Sequence, residues 1–524
     1  MFVSSMLPRY NDDKNGNGVQ DAGEGRVLNA GTPFQSTLFD TFPLPAGRNV
    51  VYAPLGAGSR TQDFDRTRIG YSGAAQYENA SGNLLVTAQF VRAESTDDWL
   101  EHTVEPNVYY GDANTVFPVG GTDFTYDDNG VFTSGTLGKR SGAVQGNGPN
   151  GYGVLSQFAP NGVFTTESNR HFFSKSISQD QSLNIKFEPV DRLHLNFDGQ
   201  YATSKVKVRD DILDTATFSQ TAIDLRGKIP QITSITPGFN TTSYFANPNS
   251  IYFRDAFNGR QDNEGHEWAF RGDAQFDVSD TAFLRNVRVG GRYADRKQLV
   301  RSADYNNWGY LSETWAAKGP VSYAALGQDE QTLHSFSNFF RGQTNMPPSA
   351  TFVADDILRD HDAFTDLLRK ITALGGGGYT ALEDRKNGDG SPLNDGAYLN
   401  SELYRNREQT KSAYVRADFG VDDFGNGMSL TGNVGVRFVN TKDSSDGAIT
   451  FPNQSSIFDA SNLPATPTGG AYPKTLAGFC QSQRDKPPAS GTINAICTVS
   501  ATQQAAILAY ANSGSTPDVA KQKF

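Results

Sequence analysis

The stretch Leu183-Asn-Ile-Lys-Phe-Glu-Pro-Val-Asp-Arg-Leu-His-Leu-Asn-Phe-Asp-Gly-Gln-Tyr201 alternates in polarity on both sides of a turn. Leu183, Ile185 and Phe187 fall on one side of an extended chain, with Asn184, Lys186 and Glu188 on the other. After Pro189-Val-Asp-Arg192 the pattern resumes, with Leu193, Leu195, Phe197, Gly199 and Tyr201 set against His194, Asn196, Asp198 and Gln200. A period of two places alternate side chains on opposite faces of a strand. Pro189 stands where no ladder donor is needed. The segment therefore reads as a hairpin with one greasy and one hydrophilic face.

Three more pairs repeat the pattern. Tyr71, Gly73, Ala75 and Tyr77 turn through Asn79-Ala-Ser-Gly82 and return as Leu84, Val86, Ala88 and Phe90. Trp268, Phe270, Gly272, Ala274 and Phe276 return as Val287, Val289, Gly291 and Tyr293. Ala413, Val415, Ala417 and Phe419 return, after Asp422 to Gly427, as Leu430, Gly432, Val434, Val436 and Phe438. Turns within pairs are about four to eight residues, whereas the connections 95–177, 206–264, 298–410 and 442 to the end run to about 60 to 115. Short turns at one end and long loops at the other are the pattern of transmembrane barrels. A soluble sandwich also alternates, and loop length decides against it. The expected fold is all-β: an antiparallel transmembrane β-barrel, partial, with about eight strands in four hairpins. Residues 1–66 are expected to form an extracellular loop segment, 67–441 the barrel part with long loops containing short helices, and 442–524 a further, truncated loop segment.

Composition fits one-sided burial. Tyr and Phe number 21 and 35, Gly 53 and Met only 4. No run approaches the 18 apolar residues of a spanning helix, which leaves barrel strands open. A net charge of -11 without clustered Lys and Arg argues against nucleic acid. The opening Met1 to Arg9 has neither the charged start nor the apolar run of a signal peptide. Cys480 and Cys497 lie close within one polar segment, which suits a disulfide in an oxidising compartment or two free thiols.

Several segments resemble the TonB-dependent receptors of proteobacteria. They are Arg60-Thr-Gln-Asp-Phe-Asp-Arg-Thr-Arg-Ile-Gly70, Thr87 to Ser95 with Trp99-Leu-Glu101, Phe339-Phe-Arg-Gly342, Tyr414 to Phe419 and Gly432-Asn-Val-Gly-Val-Arg-Phe-Val-Asn-Thr441. The resemblance covers about 60–441. It implies a Gram-negative outer-membrane receptor for active uptake of a scarce nutrient, such as a siderophore, vitamin or oligosaccharide. Such receptors couple to the TonB complex through a plug and a TonB box. Neither is found here, so the chain reads as a barrel fragment, and the unpaired edges of an open sheet argue against its spanning a bilayer alone. The alternative is a surface adhesin or structural barrel without transport; a passive porin and a secreted calcium-binding β protein rank lower.

Asp13-Lys-Asn15-Gly-Asn17-Gly-Val19-Gln-Asp21-Ala-Gly-Glu24 has the oxygen spacing of a calcium loop. Asp13, Asn15, Asn17, Asp21 and Glu24 occupy positions 1, 3, 5, 9 and 12, with the Val19 carbonyl at 7. Calcium takes six to eight oxygens, and this spacing wraps them about one point; an Asn/Gly-rich turn is the plain alternative. Gly146-Asn-Gly148-Pro-Asn-Gly151 lacks the strand and helix of a nucleotide site. Gly375 to Gly378 reads as a helix stop and flexible tip. His266-Glu267 is half of a zinc motif, without the second His. No catalytic constellation is present, and enzyme activity is not expected. Ile357, Leu358, Phe364, Leu367, Leu368, Ile371 and Leu374 share a helical face in the longest loop, either a lid over a barrel mouth or a helix packed on other loops. Ala505 to Ala511 reads as a short loop helix. Arg271, Asp273, Arg288, Arg292, Arg416 and Arg437 face the expected lumen, where they contact substrate or, more simply, one another.

Overall fold

The computed structural model describes residues 2–3, 6–28, 36–106, 116–138, 163–303, 307–313, 319–345, 348–387, 390–423, 427–447, 476–485, 493 and 495–505. Gly146 to Gly151 and Ala506 to Ala511 lie outside them. The chain divides into two units, one of 1–26 and 39–445, the other of 27–38 and 446–524.

The first unit is built on an antiparallel sheet. Its long strands are β1 (Ala57–Glu78), β2 (Leu84–Pro106), β3 (Val163–Val190), β4 (Leu193–Asp224), β5 (Tyr252–Asp277), β6 (Leu284–Arg301), β7 (Leu403–Val421) and β8 (Leu430–Asp446). They neighbour one another in chain order, and six short strands at the loop end bring the sheet to fourteen. Three of the quoted hairpins are register-paired couples, in which Phe197 opposes Ile185, Ala75 opposes Ala88, and Phe270 opposes Tyr293, and β7 and β8 of the fourth are hydrogen-bonded neighbours. Among the described residues the sheet does not close on itself, since β1 and β8 end the path apart from a two-residue strand, Phe2–Val3, on β1.

The strands outrun the alternating segments. β4 alone has 32 residues, so the connections shrink to 107–162, 225–251 and 302–402. The 302–402 connection is folded. Within it, α1 (Asp355–Arg359) and α2 (His361–Gly375) meet at Asp360, whose side chain accepts from the Asp362 and Ala363 N–H groups and caps α2. Gly376, at φ 66°, ends the helix in the left-handed conformation. The following glycines are a packing device and not a flexible tip. A side chain on Gly377 would meet the Leu311 carbonyl at 2.2 Å, and Gly378 N–H donates to Tyr310 O at 2.9 Å.

In the second unit a helix, Leu476–Asp485, packs with Ile496, and Cys480 is joined to Cys497 in a disulfide.

Candidate functional site

Antiparallel partners share a face, so the register sorts every strand residue onto one of two sheet surfaces. One surface, the banded face, changes character twice along the strands. Nearest the short turns it is apolar: Tyr77, Val86, Ile185, Phe197, Gly272, Gly291 and Ala413 form one cross-strand row. Two rows above, Phe90, Tyr201 and Trp268 stand in line, with the Tyr201 and Trp268 rings stacked at 4.1 Å. Phe197 lies over Gly272, where an added Cβ would meet its ring at 3.3 Å, and Phe270 lies over Gly199. Such aromatic cover of strand glycines restores packing that glycine lacks. Tyr71, Tyr77, Phe90, Leu183, Phe197, Trp268, Phe270, Phe276, Val289, Val415, Val434, Val436 and Phe438 are all exposed. From Leu193 to Tyr201 the band spans about 27 Å of strand, or about 21 Å of height at a tilt near 40°. Membrane barrels carry an apolar band about 25 Å tall between aromatic girdles.

Above Tyr201 the same face turns charged, through Lys205, Lys207 and Arg209 on β4 and Glu264, Asp262 and Arg260 on β5. Higher still it is covered by 302–402. Leu100, Leu213, Phe253 and Ala256 from the strands form one core with Leu358, Phe364, Leu367, Leu368 and Ile371. Ile357 packs on that core from its edge, whereas Leu374 is 54% exposed. The helix therefore docks on the sheet itself, on the face continuous with the apolar band.

Polar contacts fix the dock. His102 Nε2 lies 3.2 Å from Asp355, and its ring stacks on His334 at 4.0 Å. His334 Nε2 is 2.9 Å from Thr61 Oγ1, and Val353 N–H donates to Asn169 Oδ1. Burial, with His102 alongside, pushes His334 down to about 4. His361 bridges Asp211 at 3.2 Å and Glu383 at 3.0 Å, and these carboxylates, Asp211 first, raise it to about 9. Sequence reading missed this pair: His102 and His334 are distant in the chain and meet only through the fold.

The opposite, polar face carries the expected lumen charges. Asn184 Nδ2 donates to Asn196 Oδ1 and Asp198 Oδ1, each at 2.7 Å. Arg271 pairs with Asp273 at 2.6 Å, and Tyr414 donates to the same carboxylate. Arg292 lies 3.7 Å from Glu267, Arg416 pairs with Asp418, and Arg437 donates to Ser412 at 3.3 Å. Arg288 opposes Arg416 across the β6–β7 pair. Most of these charges are matched within the wall. A hollow of about 590 Å³ on this face is lined by Ser178, Asp180, Ser204, Asn263 and Glu267. His266 and Glu267, being adjacent in β5, point to opposite faces.

The 13–24 loop is closed by its own hydrogen bonds. Both Asp13 oxygens accept, from Gly16 and Gly18 N–H, at 2.7 Å. Glu24 accepts from Lys14 and Asp21 N–H, while the Asn15 and Asn17 amides donate to Asp21 Oδ2. Val19 N–H donates to Asn17 Oδ1, and its side chain is exposed. Among the described residues no three His, Cys, Asp or Glu side chains form a metal-holding group. The ligand spacing fits calcium, but the two Asn amides would have to rotate to present oxygen.

No protein-family model matches the chain, and neither a curated protein nor a solved structure matches it.

Proposed function

We propose that this chain forms wall strands of an outer-membrane barrel of the TonB-dependent receptor type, working in active uptake of a scarce nutrient such as a siderophore, vitamin or oligosaccharide. The observation that carries the membrane part is the apolar band: exposed, about as tall as hydrocarbon requires, edged by Tyr201 and Trp268, and backed by a polar face. The Cys480–Cys497 disulfide agrees with export. Coupling to the TonB complex through a plug and TonB box rests on the resemblance alone. Among the described residues the wall has open edges, and such a wall needs partner strands before it can cross a bilayer. Transport is assigned to the protein, and no catalysis. Calcium held by Asp13, Asn15, Asn17, Val19, Asp21 and Glu24 is an accessory reading, in which the ion staples a surface loop.

Docking of 302–402 on the banded face favours a second reading, a surface adhesin, because it builds a displayed module beside the wall. Fractionation of a Gram-negative cell making the chain tests location: recovery in the outer membrane, released by detergent and not by salt, supports the barrel, and recovery as a water-soluble periplasmic protein overturns it. Ligand accumulation that collapses with the proton gradient separates transport from adhesion.

A further inference from the structure

On a chain of net charge -11, three lysines crowd one spot two to three rows above the aromatic edge of the band. Lys175 on β3 stands directly opposite Lys207 on β4, and Lys205 is the next residue along on the same face. Like charges directly opposite destabilise a sheet unless something neutralises them. Nearby acids do so only in part. Asp262, opposite Lys207, bonds Arg260 at 2.9 Å and Tyr398 at 2.6 Å. Glu264, opposite Lys205, faces Arg301 at 3.3 Å, and Glu94 reaches Lys175 only at 3.7 Å while bonding Arg92. Among the described residues neither Lys205 nor Lys207 has an ion pair within 4.0 Å. Lys175, Lys205 and Lys207 line a hollow of about 390 Å³ together with Asp262, Glu264 and Arg301.

Position identifies the occupant. Lys205 lies four residues beyond Tyr201, about 14 Å along the strand and about 10 Å in height at the usual tilt. A lysine stem laid back along the wall returns its ammonium to the headgroup layer, which begins where the hydrocarbon ends. Three ammonium groups around one small hollow suit a compact, multiply charged oxyanion, for which lysine is a good point-charge partner.

We infer that Lys175, Lys205 and Lys207 bind the phosphate of a lipid headgroup in the leaflet on the long-loop side, an inference that rests on the membrane reading above. The site would fix the height of the wall in its leaflet.

The test uses the full chain in dodecyl maltoside micelles, titrated with phosphatidic acid or phosphatidylcholine and followed by native mass spectrometry. Wild type is expected to take phosphatidic acid about a hundredfold more tightly than the K175Q/K205Q/K207Q variant, at the usual contribution of each lysine near a lipid surface. The K175R/K205R/K207R variant keeps the preference, as does K186Q/K228Q/K386Q, which removes the same charge elsewhere. An unchanged glutamine variant, or equal loss in the K186Q/K228Q/K386Q control, overturns the inference. Displacement of the lipid by millimolar inorganic phosphate also overturns it, because the ligand is then free phosphate. The detergent mass carried by the chain separates the two readings: a detergent-coated chain without phosphate preference refutes this site alone, and a chain carrying no detergent refutes the membrane reading and the site with it.

Discussion

Placing an arginine at Phe197 measures what the band is for. Phe197 lies four residues from Leu193 and four from Tyr201, so each edge of the band is about 14 Å away along the strand and about 10 Å away in depth. That puts it near the middle of any hydrocarbon the band meets, where arginine costs about 2–4 kcal/mol; near the interfaces the cost is about 0–1 kcal/mol. The half of the Phe197 ring already packed on protein, over Gly272, adds about 1 kcal/mol when removed. Phe197→Arg should therefore cost about 3–5 kcal/mol, Leu193→Arg and Tyr201→Arg about 1–2 once the packing each loses is added, and Leu195→Arg an intermediate amount. Asn196→Arg points to the polar face and keeps Asp198 as a neighbour, so its cost should stay within about 1 kcal/mol. Guanidinium unfolding of the full chain in micelles, followed by tryptophan fluorescence, reads all five. A cost that is flat from 193 to 201, as a packed protein core would give, refutes the reasoning, and so does an Asn196→Arg penalty matching that of Phe197→Arg.

Four further expectations concern the loops. Phe364→Ala opens the fully buried centre of the docked helix and should cost about 3–5 kcal/mol, seen as rapid proteolysis within 302–402 while the long strands stay protected; unchanged resistance would contradict the dock. His334, held down to about 4, contributes stability that is complete above its ordinary value near 6.5 and drains as pH falls from there toward 4. His334→Asn should remove that acid-side loss of protection, about 1–2 kcal/mol once screening of a half-buried ring is allowed for, and an identical pH profile would reject it. His361, raised to about 9, behaves oppositely: its contribution is complete below about 6.5 and disappears as pH rises through 9, so His361→Asn should flatten the alkaline limb in the same assay. For the 13–24 loop, calcium should slow proteolysis in wild type and not in the Asp13→Ala/Glu24→Ala variant; protection surviving in the variant removes the calcium reading.

The hairpins were legible because Leu183 to Tyr201 and its counterparts keep one phase of alternation throughout the band. The upper strands were hidden for a physical reason. In Lys205-Val-Lys-Val208 the alternation continues but its phase inverts, with lysines on the banded face and valines on the polar one. A reader following greasy residues stops at Tyr201 and assigns loop to residues that belong to β4. The α2 helix was legible from the spacing of Phe364, Leu367, Leu368 and Ile371. Its docking partner was not, since Leu100 and Leu213 are distant in sequence and only the register brings them under it. For the same reason the paired histidines looked scattered, and the opposition of Lys175 and Lys207 could not be seen before β3 was aligned with β4.

The central claim is that the odd-numbered side chains of 193–201 meet hydrocarbon and the even-numbered ones meet water. Nitroxide labels introduced singly at these nine positions, in the micelle-bound chain with Cys480–Cys497 intact, report collision with oxygen or with a water-soluble nickel complex. Oxygen should dominate at 193, 195, 197, 199 and 201, peaking at 197, and nickel at 194, 196, 198 and 200. Odd positions shielded from both reagents would place the band inside a water-soluble protein core and contradict the account.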